Sequence, residues 1–197
     1  MSNRDDEFRE IIRARLTEKR FIHSLNVAAE AKKLAEHYGA DADKAFTAGL
    51  LHDILKDAPL VSQRDYLMLN GVELSSCELV APKLWHAMAG AQYIEKELGV
   101  DDADIVTAVR YHTTGREKMS LLEKILYIAD YISKDRSYDG VERMRDKAYT
   151  VLELAMLEGL QFTIKELADN RLVIHPDTIE AYNQTVREVL LLEHEAQ

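Results

Sequence analysis

Residues 49–57 read GLLHDILKD. An apolar run ends in a histidine and an aspartate side by side, His52 and Asp53, with Lys56 one turn further on. Ala45, Ala48 and Gly49 share a helical stripe with His52, so the imidazole points where that helix buries its apolar face. A buried polar group without a partner costs about 1–3 kcal/mol, and a bare carboxylate more. His52 and Asp53 are stable in such a place only if something satisfies them.

The helical period extends outward over nearly the whole chain. Residues 5–16 read as a first helix with Phe8, Ile11, Ile12 and Leu16 apolar. A second starts at Thr17, whose hydroxyl is expected to cap it, and stops at Gly39. A third spans about 41–55, and a short one from Pro59 to Leu69 ends at the turn Asn70-Gly71. Helices follow at about 83–98, 101–112 and 120–133, and Ser133 to Gly140 is polar and loop-like. Two longer helices close the chain, 141–169, broken near Gly159, and 177–194, with Pro176 in its first turn. With only 8 glycines and 3 prolines, no alternating strand pattern, no repeat and no linker, the expected fold is all-α, a single domain over residues 1–197.

Further polar residues sit on inward stripes. His23 lines up with Val27, Ala31 and Leu34, and His86 with Ala89, Gly90 and Tyr93. His112 follows Ile105, Ala108 and Val109, while Asp130 follows Leu122 and Leu126. One such histidine is ordinarily a core residue bonded to a carbonyl. Four histidines with two aspartates are more than a fold of about 5–15 kcal/mol can hold unpartnered. A divalent cation satisfies the whole set, and imidazole with carboxylate suits iron, manganese or zinc. Ala48-Gly49 and Ala89-Gly90 either leave room in the core or mark close helix packing. An adjacent His-Asp pair can serve one ion only where a helix end faces the site. His37 and His194 lie in charged stretches and read as solvated.

The bulk numbers set limits. A chain of 197 residues, 47% hydrophobic and 30% charged, supports one core. A net charge of -10 argues against a broad nucleic-acid surface, though not against a small anion in a locally basic pocket. No apolar stretch is long enough to span a bilayer, and the start MSNRDDEFRE lacks the apolar segment of a secretory signal. The one cysteine, Cys77, cannot form an internal disulfide, so a cytoplasmic protein is expected. Apolar faces on the terminal helices would permit a homodimer.

Together these stretches resemble the HD-domain metal phosphohydrolases, and within them the bacterial YqeK family of symmetrical diadenosine tetraphosphate hydrolases. The resemblance rests on RFIHSLNVAAEAKKLAEHYG, KAFTAGLLHDILKD, PKLWHAMAGA, VRYHTTGREKMSLLEKILYIADYI and DRSYDGVERMR, and runs from about residue 18 to 182. YHTTGR followed by EKILYIADYI is far more specific than the His-Asp pair. The resemblance implies an HD core over about 18–134, with the C-terminal helices, about 141–194, packed on it. It implies a metal, iron by preference, one or two ions, held by His23, His52, Asp53 and Asp130. His86 and His112 would bind phosphate or complete a second metal position. The implied reaction is hydrolysis of diadenosine tetraphosphate to two ADP by a metal-activated water. The family has Glu-Pro after the ADYI segment and then Phe-Pro-Gly; here SKDRSYDGV keeps Arg136 and loses both prolines. Around His86 the family's Gly-Pro-Val is replaced by Ala-Met-Ala.

Asp53 is expected to ligate and to orient water, and Lys56, Arg20, His86, His112 and Arg136 to neutralise phosphoryl oxygens. Thr113, Thr114 and Gly115 either contact phosphate or form a turn. Arg171 and His175, in the loop before the last helix, either close over the nucleotide or belong to an ordinary connection. One of Tyr111, Tyr127 and Tyr131 could stack on adenine, against a default of core packing. Two other readings stay open at this level: an HD phosphohydrolase acting on another nucleotide, and a non-catalytic nucleotide-binding helical module with a structural metal.

Overall fold

The computed structural model describes residues 3–195. Among them the chain forms eleven α-helices and no strand. In order these are α1 (Asn3–Arg15), α2 (Glu18–Tyr38), α3 (Ala42–Leu51), α4 (Leu60–Leu69), α5 (Ser76–Leu79) and α6 (Trp85–Lys96). Then come α7 (Ala103–Tyr111), α8 (Leu121–Ile132), α9 (Val141–Ala148), α10 (Leu152–Asp169) and α11 (Pro176–Glu195). A 3-10 turn, Pro82–Leu84, leads into α6. No helix is long and apolar enough to cross a membrane.

Helix α8 is the hub. It buries Leu122, Ile125, Leu126, Tyr127, Ile128, Ala129 and Ile132, an all-round apolar surface that only a central helix can satisfy. Ser120 opens it with a capping box to Glu123, a device worth about 1 kcal/mol. Helices α2, α3, α7 and α10 pack around it. One hydrophobic cluster runs from Phe8 on α1 through Leu51 and Ile128 to Ala181 on α11.

The crossing of α2 and α3 decides where the histidines meet. A Cβ at Gly49 would lie 2.7 Å from Ala28 Cα and 2.9 Å from Ala28 N. The helices therefore touch backbone to backbone, and at this position the small residue means close packing, not free volume. That contact seats the last turn of α3 on the middle of α2, one turn beyond His23.

Several boundaries differ from the sequence reading. Helix α3 stops at Leu51, with His52 as its C-cap. Beyond it the chain tightens into i→i+3 turns, Ile54 N–H to Leu51 O at 3.1 Å and Lys56 N–H to Asp53 O at 2.8 Å. The expected helix over 141–169 breaks at 149–151, where Tyr149, Thr150 and Val151 are poor helix formers. Gly159 continues α10 and packs on Tyr127. Thr17 does not cap α2: its N–H and hydroxyl both donate to Asp57 Oδ2, at 2.8 and 2.9 Å. The start of α2 is thereby tied to the turn that carries Asp53 and Lys56. The four-residue α5 was not anticipated.

Candidate metal centre

Five segments converge. Helix α2 supplies Arg20 and His23; the turn after α3 supplies His52, Asp53 and Lys56; the first turn of α6 supplies His86. The end of α7 supplies His112 and α8 supplies Asp130. The four histidines and Asp53 are at most 4% exposed, while the Asp130 side chain keeps 21% of its surface open. The rings stand edge to face in a chain His23–His52–His112–His86, with centroids 5.4, 5.0 and 5.2 Å apart.

The backbone fixes their tautomers. His52 Nδ1 lies 2.7 Å from Gly49 O, His86 Nδ1 2.8 Å from Lys83 O, and His112 Nδ1 2.8 Å from Val109 O. A carbonyl can only accept, so in each the proton sits on Nδ1 and Nε2 presents a lone pair. For His52 and His112 the carbonyl is one that the helix end leaves without an intrahelical partner. His23 Nδ1 instead meets Asp135 Oδ2 at 2.8 Å.

Those lone pairs face other acceptors, and only His86 Nε2 also meets a donor, Lys56 Nζ at 3.1 Å. His86 Nε2 is 3.3 Å from His112 Nε2 and 3.2 Å from Asp53 Oδ1. His112 Nε2 is 3.6 Å from the same oxygen. His52 Nε2 is buried without a hydrogen bond, 3.6 Å from Asp53 Oδ2. His23 Nε2 is 2.9 Å from Asp130 Oδ1 but not aligned for a hydrogen bond. Two overlapping donor sets result, His23–His52–Asp130 and His52–Asp53–His112, each with atoms within 4.8 Å of one another. Convergent buried lone pairs without protons between them fit a divalent metal site of nitrogen and oxygen donors.

Burial pushes His52 down to about 4 against the pull of Asp53, and does the same to His86, also to about 4. Burial works to raise Asp53, but His52, His112, His86 and Lys56 hold it well below the usual carboxylate range. Burial likewise opposes the ionised form of Asp130, and His23 and Arg136 overcome it. For His23 burial favours the neutral ring, yet Asp130 and Asp135 raise it above its ordinary value. In the metal-free protein the neutral His52 and His86 cost stability as pH falls from 6.5 to about 4, because only the unfolded chain then takes up their protons. The two carboxylates stay ionised over that window. His23 acts oppositely: its contribution is complete below 6.5 and fades as pH rises through its folded value. The urea midpoint of chelator-treated protein should therefore drop between pH 6.5 and 4. A flat midpoint would contradict buried neutral rings.

Three cations border the centre. Arg20 donates to Asp53 Oδ2 at 3.1 Å. Lys56 Nζ lies 3.1 Å from His86 Nε2 and 3.8 Å from Asp53 Oδ1. Arg136 donates through Nη2 to Asp130 Oδ1 and through Nε to Asp130 O. A polar cavity of about 370 Å³ opens beside them, with His112, Thr113, Asp130 and Arg136 in its wall. A second cavity of about 320 Å³ adjoins it, apolar, lined by Val80, Leu84, Leu167, Leu172 and Val173. Thr113 and Thr163 belong to both.

His175 lines the apolar cavity, 3.6 Å from Glu78 Oε1. Arg171 is exposed at the turn after α10, in the left-handed region at φ 54, and lines neither cavity. Thr113 Oγ1 is buried without a partner, whereas Thr114 donates to Gly115 O within the turn. Of the tyrosines, Tyr131 lines the polar cavity, Tyr127 is core, and Tyr111 lines a different cavity with Arg110. The sequence reading missed Asp135, Asn26, which donates to Asp135 Oδ1 at 3.0 Å, and Thr163. The one available signal was an acidic residue beside Arg136.

Comparison with known proteins places this geometry in context. The HD-domain family model matches residues 20–135. The symmetrical bis(5'-nucleosyl)-tetraphosphatase of Bacillus subtilis is 38% identical, covering 89% of this chain and 94% of the relative. The protein of the same description from Halalkalibacterium halodurans is 39% identical, covering 91% and 95%. A crystal structure from Clostridium acetobutylicum, described as a predicted HD superfamily hydrolase involved in NAD metabolism, superposes with a TM-score of 0.90. It is 39% identical, covering 93% of this chain and 97% of that one.

Proposed function

We infer from its membership of the HD-domain family and, within it, of the symmetrical bis(5'-nucleosyl)-tetraphosphatases, to which this chain belongs, that the protein is a metal-dependent hydrolase cleaving diadenosine tetraphosphate into two ADP. One observation carries the reading: four buried imidazoles and two carboxylates converge, with His52 Nε2 and His23 Nε2 lacking a hydrogen-bond partner, and the cluster reaches a cavity through His112, Asp130 and Arg136. His23, His52, Asp53 and Asp130 would hold one ion, and Asp53 with His86 and His112 a second. Iron is the metal we assign, and manganese suits the same donors. A divalent ion there supplies Lewis acidity that brings water near deprotonation at neutral pH.

The chain's own residues do the rest. Asp53 has one oxygen toward His86 and His112 and the other toward Arg20 and His52, which suits it to orienting the attacking water. Water oxygen bonds to phosphorus while the bridge between the second and third phosphates breaks, and ADP leaves. Lys56 and Arg136 offset charge on the phosphoryl oxygens, and Arg20 holds Asp53 in place. Burial, partly offset by Asp53, lowers Lys56, which suits it to giving a proton to the leaving phosphate. The phosphates run past Thr113, and a nucleoside enters the apolar cavity toward His175; Arg171, which lines neither cavity, has no role in this reading. A free, part-buried Cys77 fits a reducing cytoplasm.

The test is anaerobic purification, metal analysis and chromatography of products from diadenosine tetraphosphate. ADP alone is expected. AMP with ATP would refute symmetrical cleavage, and no cleavage by metal-loaded protein would refute the activity.

A further inference from the structure

The loop after α8 grips the centre from outside. Asp135 holds His23 Nδ1, and Arg136 holds Asp130. The loop is itself held by one side chain on α9. Arg145 donates through Nε to Ile132 O at 3.0 Å, and through Nη2 to Ser133 O at 3.0 Å and Arg136 O at 3.1 Å. Its remaining nitrogen pairs with Glu142. A guanidinium spread over three carbonyls fixes a backbone that has no proline to stiffen it. Asn26 braces Asp135 from α2.

We propose that the Ser133–Arg136 loop, stapled by Arg145, is the positioning element of the His23–Asp130 metal site, with Asp135 orienting the His23 ring. This rests on reading His23 and Asp130 as ligands. The other three imidazoles take their orientation from backbone carbonyls, whereas His23 depends on a carboxylate 112 residues away in sequence. Such outer partners govern affinity by roughly 10–100-fold. The Asp135 side chain is 33% exposed, which puts the expected effect near the lower end, about tenfold.

Manganese(II) titration by calorimetry, on protein first stripped with chelator, tests this without any turnover. Asp135→Ala should weaken manganese binding about tenfold, and Asp135→Asn, which keeps an acceptor for Nδ1, should weaken it less. Arg145→Ala should also weaken it, and the Asp135→Ala, Arg145→Ala pair should lose less than the two single losses combined, since both act through one loop. Metal-free Asp135→Ala should melt somewhat below the parent, since His23 and Asn26 lose a partner, but should remain fully folded at the titration temperature. Unchanged affinity in Asp135→Ala would overturn the proposal, as would a loss seen only where the metal-free variant is partly unfolded. If the parent protein binds no manganese or iron, the metal centre itself is wrong and the positioning role falls with it. Binding by the parent with no response at Asp135 sinks the positioning role alone.

Discussion

Asp53→Asn is expected to abolish hydrolysis of diadenosine tetraphosphate, with kcat down by ~10³-fold or more, because the residue proposed both to hold the metal and to orient water is removed in one change. Asp53 belongs to the donor set His52–Asp53–His112, with His52, His86, His112, Arg20 and Lys56 all within 3.8 Å of its oxygens. The amide keeps the shape but not the charge that holds three imidazoles and two cations together. Metal content should fall with activity. The fold should persist, since Arg20 and Lys56 are 34% and 29% exposed and can turn to water. The measurement is metal analysis and single-turnover hydrolysis on variant that gives a parental circular dichroism spectrum. Full metal content with parental turnover would remove Asp53 from the site.

Lys56→Met should separate catalysis from metal holding. Lys56 touches His86 and Asp53 but offers no lone pair that a metal could use while it is protonated. Metal stoichiometry is expected to stay at the parental value while kcat falls about 10²–10³-fold, the range for losing one preorganised charge-stabilising donor. The alkaline limb of the parental pH–rate profile should change as well, since burial lowers the Lys56 pKa and its proton is assigned to the leaving phosphate. If metal is lost in step with activity, Lys56 belongs to the scaffold of the centre and not to the chemistry.

The fold class was legible because helical periodicity is a property of neighbouring residues, and α1, α2, α4, α7, α8 and α11 lie close to where their stripes put them. The inward placement of His23, His52, His86, His112 and Asp130 was legible for the same reason, and the adjacent His-Asp pair already required a helix end at the site. What failed was decided by tertiary contact. Gly159 looks like a breaker in sequence, but α10 runs through it against Tyr127. Thr17 looks like a cap, but Asp57 takes its hydroxyl. Asp135 lies in a loop with no period to read, and its partner is on α2. The short α5 did carry a signal, the Ser75-to-Glu78 capping box. The cavity shared by Thr113 and Thr163 joins α7 to α10, a proximity no local pattern encodes.

The carbonyl partners of His52, His86 and His112 have a consequence for assembly. Each lies three residues earlier in the same chain, so the loop closed by each imidazole is as short as a single turn and entropically cheap to form. Each ring is therefore oriented by its own turn, with no contact from a distant helix required. In the proposed metal centre these three rings would have little rotamer freedom left to lose, which lowers the cost of binding.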